Sequence, residues 1–322
     1  MANWTLRKFN EGDIENFLDW RKHVARRHKT QEFFEWEYLK GPWGPVETWL
    51  ADDNGKIVGQ YSTQRYEAFY FGKKVMASLS FDTGTHPDYR RQGIFVTLGA
   101  HHFKEEGKQD ILFSTGFPNE NFWPGGQKFG WHGLCTIPEL LNENVTQLSA
   151  KKPSRFEIYQ IKSFDRDFEG FSENFKDNIP IYLNRTRKYL GWRFVEKPGI
   201  EYYKYKIFDK TGEMVAYFVT KYFQKEQKKF LHLIDFLLPN EIEIYKSVLN
   251  FIINDVRKKK INNISLFLNR YHPFKDYLHK HNFRYIDTNR VYIIRSNSEK
   301  IDENLLFQEK NNYFTMADHD VF

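Results

Sequence analysis

Cysteine is nearly absent from this sequence: Cys135 is the single one among 322 residues. An internal disulfide is therefore excluded, and no cysteine cluster is present to hold zinc. Long apolar runs are missing as well, since no stretch approaches the roughly 18 residues that a membrane helix needs. The opening residues MANWTLRKFNEGD contain no apolar signal-peptide core. We expect a cytoplasmic, soluble protein that does not associate with membranes.

A strong excess of one charge sign is also lacking. The 48 Lys and Arg residues against 42 Asp and Glu give a net charge of +6. One short basic run, Arg257 and the three lysines after it, has no aromatic platform or nucleic-acid motif beside it, so no nucleic-acid partner is expected. A mildly basic balance suits an enzyme that handles phosphorylated small molecules, because the charge steers anions toward the protein.

Aromatic residues are abundant, with 31 Phe and 19 Tyr contributing to an aromatic content of 18%. So much ring surface has to be buried, which excludes a disordered chain. A length of 322 residues suits two domains better than one, because domains commonly contain about 100 to 200 residues.

The two halves of the sequence repeat one pattern. FFEWEYLKGP, which ends at Pro42 and precedes DDNGKIVGQY, corresponds to YLGWRFVEKP, which ends at Pro198 and precedes DKTGEMVAYF. Further along, SFDTGTHP corresponds to LIDFLLP. Ordered repetition of this kind indicates one structural unit in each half. We therefore predict two domains, residues 1–150 and 151–322, joined at the polar stretch 151–154.

Each half predicts the fold class α+β, a mixed and mostly antiparallel sheet flanked by helices. Glycine-containing turns at 52–55 and 209–212 predict hairpins, and the stretch after Gly93 predicts a helix. Further predictions are a long strand over 74–85, a closing strand over 313–322, and an amphipathic helix from the spacing of Ile244, Val248, Phe251 and Ile252.

The segment THPDYRRQGIFVTLG carries the clearest chemical signal. A strand ends at Pro87, a short basic turn follows, and a helix begins near Gly93. Backbone N–H groups at a helix start are unsatisfied and favour anions. Gly93 lets a phosphate approach the main chain, because glycine has no Cβ. Arg90 and Arg91 add positive charge, so the segment predicts a pyrophosphate cradle.

This segment resembles the coenzyme-binding motif of GNAT N-acetyltransferases, a strand with V-x-P followed by [QR]-x-x-G-x-[GA]. Two positions depart from that pattern: Thr85 replaces Val, and Phe95 replaces the small residue. We expect Phe95 to alter the packing at the helix start while leaving the N–H groups in place. The resemblance implies acyl-CoA as co-substrate, with no metal, and a site made of Thr85, Arg90, Arg91, Gln92, Gly93, Ile94 and Phe95.

A second motif supports the first. GNAT domains commonly carry N-x-x-A-x-x-x-Y-x-x-x-G-F, and Asn119 and Gly130-Trp131 fall at that spacing here. The resemblance implies that Asn119 contacts the pantetheine arm. The family's Tyr, often the acid for the departing thiolate, corresponds to Gly126, and the Ala corresponds to Phe122. The usual general acid is therefore missing, and no residue can be carried over for that role.

The second half has lost the coenzyme features. The position of the Arg-x-x-Gly sequence maps to PNEIEIYKS, where Glu241 and Glu243 stand at the helix start and the glycine is gone. Carboxylates suit a helix N-terminus but repel a pyrophosphate there. We expect this half to be a degenerate GNAT-like domain that stabilises the protein or forms part of the acceptor cleft.

The resemblance implies that a substrate amine attacks the thioester directly, in a ternary complex, since Cys135 lies outside both motifs. Asp82, on a strand expected to line the cleft, is the first candidate for the base, although Asp235 at the matching place in the second half favours a structural role. His86 and His132 are the next candidates for the base, whereas His101 and His102 are expected to face outward from their helix. An amine that arrives neutral needs no base. Phe117, Asn121 and Trp123 are expected to line the acyl or acceptor pocket.

For the acceptor, the half-to-half layout looks most like bacterial sugar N-acyltransferases of surface-polysaccharide synthesis, for example of lipopolysaccharide or capsule. That resemblance implies transfer of an acetyl or longer hydroxyacyl group to a small-molecule amine, namely a nucleotide-linked amino-dideoxy sugar of the dTDP-3-amino-3,6-dideoxyhexose type. Alternatives are a Fem-like aminoacyl-tRNA-dependent transferase, an aminoglycoside or polyamine acetyltransferase, and a non-catalytic acyl-CoA-binding protein. The sequence indicates no oligomeric state.

Overall fold

The computed structural model describes residues 4–24, 30–148, 155–319 and 322. The strands are β1 Thr5–Lys8, β2 Glu47–Asp53, β3 Lys56–Tyr70, β4 Lys73–Thr85, β5 Ile111–Gly116, β6 His132–Thr136, β7 Glu139–Asn142, β8 Glu157–Ile161, β9 Ile181–Leu183, β10 Tyr203–Phe208, β11 Met214–Lys225, β12 Lys228–Leu237, β13 Asn263–Phe267, β14 Arg284–Ile286 and β15 Val291–Ser296. The helices are α1 Ile14–Val24, α2 Gln31–Phe34, α3 Ile94–Glu106, α4 Trp123–Gly126, α5 Arg187–Phe194, α6 Ile242–Lys258, α7 Phe274–His279 and α8 Glu303–Leu306. Within these ranges no helix has the length and apolar character to cross a membrane.

The chain divides into two compact units whose bounds differ from the predicted ones. The first unit contains Met1–Cys135 and Arg290–Gln308, and the second contains Thr136–Asn289 and Glu309–Phe322. The predicted joining stretch, 151–154, lies outside the described residues. The division falls earlier because β7 pairs with β13 and β14 of the second unit, while β15 pairs with β5 of the first.

The first unit is built on a sheet with the strand order β1-β2-β3-β4-β5-β15-β6. The second unit repeats this order as β8-β10-β11-β12-β13-β7-β14. Each sheet contains a parallel pair, β4 with β5 and β12 with β13, and the helix α3 or α6 supplies the crossover between the two strands. The predicted α+β class and the two repeated units with mostly antiparallel sheets are confirmed.

Local sequence explains several of these elements. The β2–β3 hairpin turns through Asn54 and Gly55, which both have positive φ, of 52° and 90°, as a type I′ turn requires. The turn predicted at 209–212 also occurs, with Gly212 at a φ of 83°. The apolar spacing that begins at Ile244 forms α6; Ile244, Val248 and Ile252 of the predicted face are buried, and Phe251 is half-buried.

The strand predicted over 74–85 is β4, and it is irregular near its end. Its pairing with β3 shifts register between Gln60 and Ser62, so β4 carries an extra residue at this bulge. Asp82 lies in the bulge with a φ of 48°, the left-handed region that non-glycine residues rarely adopt. On its other side, the register of β4 with β5 ends at Ser80 and Gly116. Residues 81–85 of β4 therefore lie beyond the last residue pair that β4 forms with β5.

Apolar clusters cover the two faces of the first sheet. One cluster packs α3 against β2 and β3 through Val58, Tyr61, Ile94 and Leu98, and the other packs α1 and α2 through aromatic side chains such as Phe17. The prediction that His102 faces outward is wrong, because its side chain is fully buried. The exposed positions of α3 fall elsewhere on the helix, and the ring of His101 packs against Trp49, 4.1 Å between ring centroids.

His102 belongs to a buried polar network around Glu106, which is also fully buried. The ring Nε2 of His102 lies 3.2 Å from Glu106 Oε1, Thr63 donates to the same oxygen, and the other oxygen accepts from Ser78 at 3.1 Å. Burial alone raises the pKa of Glu106, but the hydrogen bonds from His102, Thr63 and Ser78 outweigh it and hold the pKa below its ordinary value. Glu106 therefore remains a carboxylate in the folded unit.

The substitution Glu106→Gln is expected to lower the free energy of unfolding at neutral pH by about 1 to 3 kcal/mol, since it removes charge-assisted hydrogen bonds from a buried site. Because the folded pKa is depressed, the carboxylate stabilises the fold above the ordinary Glu pKa of about 4.3 and loses this effect as the pH falls through the folded pKa. Urea unfolding of the native and variant proteins between neutral and acidic pH measures both effects.

Glu105→Gln is the matched control for this experiment. Glu105 lies one residue earlier in α3 and forms an ion pair with Lys108 near the surface, so we expect a change below about 0.5 kcal/mol. Equal stability of Glu106→Gln and the native protein throughout the pH range contradicts the predicted role of the Glu106 carboxylate.

The end of the chain differs from its prediction. No strand forms over the described residues of 313–322; instead Thr315 and Asp318 form a capping box around the 3-10 helix Met316–Asp318. Strand pairing near this point is limited to a single bridge between Asn312 and Ile181. The side-chain oxygens of Thr315 and Asp318 satisfy the N–H groups that a strand ladder otherwise uses, which favours a turn here.

Candidate functional site

The predicted phosphate cradle forms an open loop at the start of α3. Arg91 and Gly93 both have left-handed backbone conformations, with φ of 64° and 80°. Gly93 is the N-cap of α3, no side chain caps the helix, and no acidic residue lies in its first turn. The four residues 90–93 are exposed.

This geometry suits an anion such as a pyrophosphate. The first-turn N–H groups of α3 have no intrahelical acceptor, and left-handed residues beside helical ones direct successive N–H groups to one point. A Cβ built on Gly93 meets no atom within 4 Å, so the space above the glycine is open. Arg91 is an L-residue held in an unfavourable conformation, which is frequent at ligand sites. Arg90 and Arg91 supply the charge.

Two departures from the GNAT motifs, Phe95 in the first motif and Gly126 in the second, are each matched by a neighbouring residue in the structure. The ring of Phe95 packs on Gly125 in α4, where a Cβ would stand 2.6 Å from the ring. A glycine in α4 thus makes room for the bulky residue in α3. At Gly126, the position of the family's Tyr, a Cβ would stand 2.5 Å from the ring of Phe122. A tyrosine therefore cannot occupy position 126 unless Phe122 moves.

One edge of β4 extends away from the predicted cradle loop. Beyond the last β5 pair at Ser80 and Gly116, β4 stays bonded to β3 as far as Thr85. The pairing of β4 with β5 thus ends before this stretch, and a strand edge of this kind can pair with an extended ligand. Thr85 Oγ1 is buried beside this edge and has no hydrogen-bond partner among the described residues. Such a hydroxyl fits a site that a polar ligand completes.

Asp82 is held by several contacts from its own unit. Its carboxylate forms an ion pair with Arg21 and accepts a hydrogen bond from Tyr38 Oη at 3.1 Å, while Gln60 donates to its backbone carbonyl. Arg21 is buried and also pairs with Glu37 at 3.5 Å. These contacts hold the bulge of β4 in place. In the second unit, Asp235 is likewise paired with a buried arginine, as the sequence correspondence suggested.

The two histidine candidates lie in different surroundings. His86 follows β4 and accepts a hydrogen bond from the N–H of Asp88 at 3.3 Å, capping the 3-10 helix Pro87–Tyr89. His132 begins β6, is exposed, and stacks on Phe307 with ring centroids 4.5 Å apart. His86 therefore lies close in sequence to the predicted cradle, whereas the ring of His132 is held by Phe307, the residue after α8.

The remaining predicted residues gather in the segment that follows β5. Asn119 is exposed and accepts a hydrogen bond from the N–H of Asn121 at 3.0 Å, which shapes the turn into α4. Phe117 contacts the ring of Tyr292 at 5.0 Å. Trp123 packs over Gly133, where a Cβ would stand 3.0 Å from the indole. The structure thus brings Asn119 and Asn121 together, and it gives Phe117 and Trp123 packing contacts.

The corresponding helix start in the second unit is occupied. Glu241 is the N-cap of α6 and pairs with Arg155, while Glu243 in the first turn pairs with Lys246 at 2.5 Å. Two carboxylates at this place repel a phosphate. Among the described residues, no group of three or more His, Cys, Asp and Glu side chains is placed to hold a metal ion.

Two buried groups near the site were missed by sequence reasoning. Arg21, in α1, holds Asp82, and Tyr61, in β3, lies beneath α3 with its hydroxyl bonded to Ser80 and Trp131. No sequence spacing connects these residues, because they come from separate elements. The signal that was available is an arginine inside the apolar pattern of α1, which requires a buried carboxylate partner.

Replacement of the Asp82 carboxylate tests its structural role. Asp82→Asn leaves the buried Arg21 without its close counter-charge, so we expect the free energy of unfolding to fall by about 3 kcal/mol. Urea unfolding measures the change. Asp88→Asn, six residues later and 77% exposed, is the control and should stay within about 0.5 kcal/mol of the native protein. Unchanged stability of Asp82→Asn together with lost acyl transfer would assign Asp82 the role of base instead.

Comparison with known proteins agrees with the first unit's geometry. Residues 5–133 match the family model of an acetyltransferase (GNAT) domain. The GNAT resemblance seen in the sequence is thus confirmed for residues 5–133, which lie in the first unit. No curated protein sequence matches the chain significantly.

Solved structures share the fold of the whole chain. A GCN5-related N-acetyltransferase from Anabaena variabilis ATCC 29413 is similar with a TM-score of 0.74 and 14% identity, covering 92% of this chain and 73% of that one. N-myristoyltransferase from Saccharomyces cerevisiae gives 0.60 and 11%, covering 92% and 79%. A tandem GNAT protein from the clavulanic acid biosynthesis pathway gives 0.57 and 13%, covering 92% and 99%. These similarities establish a tandem GNAT fold.

Proposed function

We propose that this protein transfers an acyl group from acyl-CoA to the amine of a small molecule. The observation that carries the proposal is the exposed loop 90–93, whose two left-handed residues and uncapped helix start form a phosphate cradle next to the open edge of β4. The GNAT domain match over residues 5–133 supports the same reaction. The transferred group is an acetyl or a longer hydroxyacyl group.

The predicted coenzyme residues take separate roles in this proposal. Arg90, Arg91 and the first-turn N–H groups of α3 bind the pyrophosphate. Gly93 and Gln92 shape the loop, and Ile94 and Phe95 anchor it to the core. The edge of β4 and the hydroxyl of Thr85 bind the extended arm, and Asn119 borders it from the turn before α4.

The chemical step is direct attack by the amine nitrogen on the thioester carbonyl. A backbone N–H at the β4 edge polarises the carbonyl, as an oxyanion site does. The contacts of Asp82 with Arg21 and Tyr38 support a positioning role for Asp82: it holds the bulge that aims this edge. The amine releases its proton to solvent or to His86, which lies at the end of β4. His132 remains a weaker candidate.

For the acceptor we propose a nucleotide-linked amino-dideoxy sugar. The support is the half-to-half layout of the sequence and the mildly basic net charge of +6, which attracts phosphorylated acceptors. Phe117, Asn121 and Trp123 are the proposed acceptor contacts. The second unit has carboxylates at the start of α6, which supports a structural or acceptor-binding role without a second coenzyme.

Isothermal titration with CoA and acetyl-CoA tests the proposal. The native protein should bind about one equivalent, and Arg90→Glu/Arg91→Glu should bind neither ligand while it unfolds at the native urea concentration. Lys258→Glu/Lys259→Glu, two charge reversals at the end of α6, is the matched control and should bind normally. Binding then justifies a screen of amino-sugar nucleotides. Absence of binding in the native protein would remove the acyl-CoA assignment, and binding without turnover on any amine would favour a non-catalytic acyl-CoA-binding protein.

A further inference from the structure

Ser80 lies where the open edge of β4 begins. It forms the last pair with β5, opposite Gly116. Ser78, two residues earlier on the same face, hydrogen-bonds Glu106 of α3, so both serines point to the side of the sheet that α3 covers. Ser78 is fully buried, whereas Ser80 keeps 9% of its surface exposed. Ser80 is therefore the first serine in this row that keeps some exposed surface.

Tyr61 and Trp131 stand behind this serine. Ser80 Oγ donates to Tyr61 Oη at 3.1 Å, and the indole Nε1 of Trp131 donates to the same oxygen at 3.1 Å. Tyr61 is fully buried, and burial raises the pKa of its hydroxyl above the ordinary value. Tyr61 therefore keeps its proton, and rotation of the two hydroxyls lets Tyr61 donate to Ser80. Ser80 is then free to donate its own proton toward the open edge.

The position of Ser80 matches the reach of a coenzyme arm bound at the cradle. Thr85 and Ser80 pair with Gly59 and Thr63 of β3, four strand steps apart, because β4 carries the extra residue of the bulge between them. Four steps correspond to about 13 Å. A pantetheine arm, with two amides in a linear chain, extends about as far as four or five residues, or roughly 15 Å. A ligand whose phosphates lie at 90–93 and whose arm pairs with the edge of β4 thus brings its sulfur to Ser80. Gly126 provides no side chain for this sulfur.

We infer that Ser80 is the hydrogen-bond donor to the departing coenzyme sulfur, with Tyr61 as its positioning residue. This inference rests on the proposed function. In the step, the amine nitrogen forms the new C–N bond, and the C–S bond breaks with its electron pair on sulfur. The Ser80 hydroxyl stabilises the resulting thiolate, and the proton of the amine passes to solvent. Ser80 thereby takes the place of the tyrosine that position 126 lacks.

The test compares the affinities of CoA and desulfo-CoA, which has hydrogen in place of the thiol. Isothermal titration at about pH 9, above the ordinary thiol pKa of about 8.5, should show native protein binding CoA about tenfold more tightly, the lower range for a hydrogen bond to a charged group. The ratio should fall toward one in Ser80→Ala. It should also shrink at about pH 7, where the thiol is protonated.

Two further variants keep the test decisive. Tyr61→Phe retains the ring but removes the hydroxyl that directs Ser80, so the ratio should fall partway. Ser78→Ala is the matched control, because it removes a hydroxyl from the same face of β4 without touching Tyr61, and its ratio should equal the native one. Equal affinities for the two ligands in the native protein, or an unchanged ratio in both Ser80→Ala and Tyr61→Phe, overturn the inference while CoA binding still supports the proposed function. No binding of either ligand overturns both.

Discussion

Gly93→Glu is expected to weaken acetyl-CoA binding by roughly 100-fold or more, because two effects act at one position. The glutamate places a negative charge where the phosphates bind, and an L-residue at a φ of 80° is strained and shifts the loop. Nothing lies within 4 Å of the added Cβ, so the core should not be disturbed. Isothermal titration measures the affinity, and circular dichroism with urea unfolding checks the fold.

Gly170→Glu provides the matched control. Gly170 also has a positive φ, of 73°, also precedes a helix, and also has open space around its Cβ position, but it lies in the second unit. The two variants therefore introduce the same charge and similar backbone strain at different helix starts. Native acetyl-CoA affinity is expected for Gly170→Glu. An undiminished affinity in Gly93→Glu would show that the phosphates bind elsewhere.

Arg185→Met is expected to cause the largest loss of stability, about 3 to 5 kcal/mol. Arg185 is buried and donates to Asp235 at 3.1 Å and to Asp318 at 2.7 Å. Burial raises the pKa of Asp235, and the arginine works against that rise. Without the guanidinium, the buried carboxylates of Asp235 and Asp318 lose the counter-charge that they share. Such a loss is a large fraction of the roughly 5 to 15 kcal/mol that stabilises a typical domain.

Urea unfolding measures this loss, and hydrogen exchange of residues 313–319 locates it. Thr315 and Asp318 both accept hydrogen bonds from Arg185, and the N–H of Thr315 donates to Asp318. The amides of this segment should therefore lose protection first. Arg187→Met, two residues later, removes an exposed ion pair with Glu169 and a hydrogen bond to the carbonyl of Phe164, and should cost about 1 kcal/mol. Equal stabilities of the two variants would mean that the Arg185 ion pairs contribute little to the fold.

Both units contain a buried arginine paired with an aspartate near the end of the strand that precedes the crossover helix. In the first unit the pair is Arg21 with Asp82, and in the second it is Arg185 with Asp235. The pair occurs in both units, although Glu241 and Glu243 stand in the second unit where the predicted cradle residues stand in the first, which indicates that the pair stabilises the fold. This observation supports the proposal that Asp82 positions β4 and does not act as the base.

The sequence by itself determined the features that depend on local physical rules. The hairpin at Asn54 and Gly55 follows from the need for positive φ, and α6 follows from apolar spacing. The charge, the glycine and the helix start of the predicted cradle, from Arg90 to Gly93, also lie within a few residues and are read from one segment. That this segment binds phosphate stays a prediction. The repeated order of elements gave the two units and their fold class.

Only the tertiary structure decided the features that join distant segments. The short strands β7 and β15 have no sequence signal that assigns them to a sheet, since their partners are fixed by pairing across more than a hundred residues, with β13 and β5. The buried side of α3 is set by what packs on it, which placed His102 inside next to Glu106. Ser80 and Tyr61 come together for the same reason: packing of separate strands beneath one helix, and no sequence spacing, brings their hydroxyls within hydrogen-bond distance.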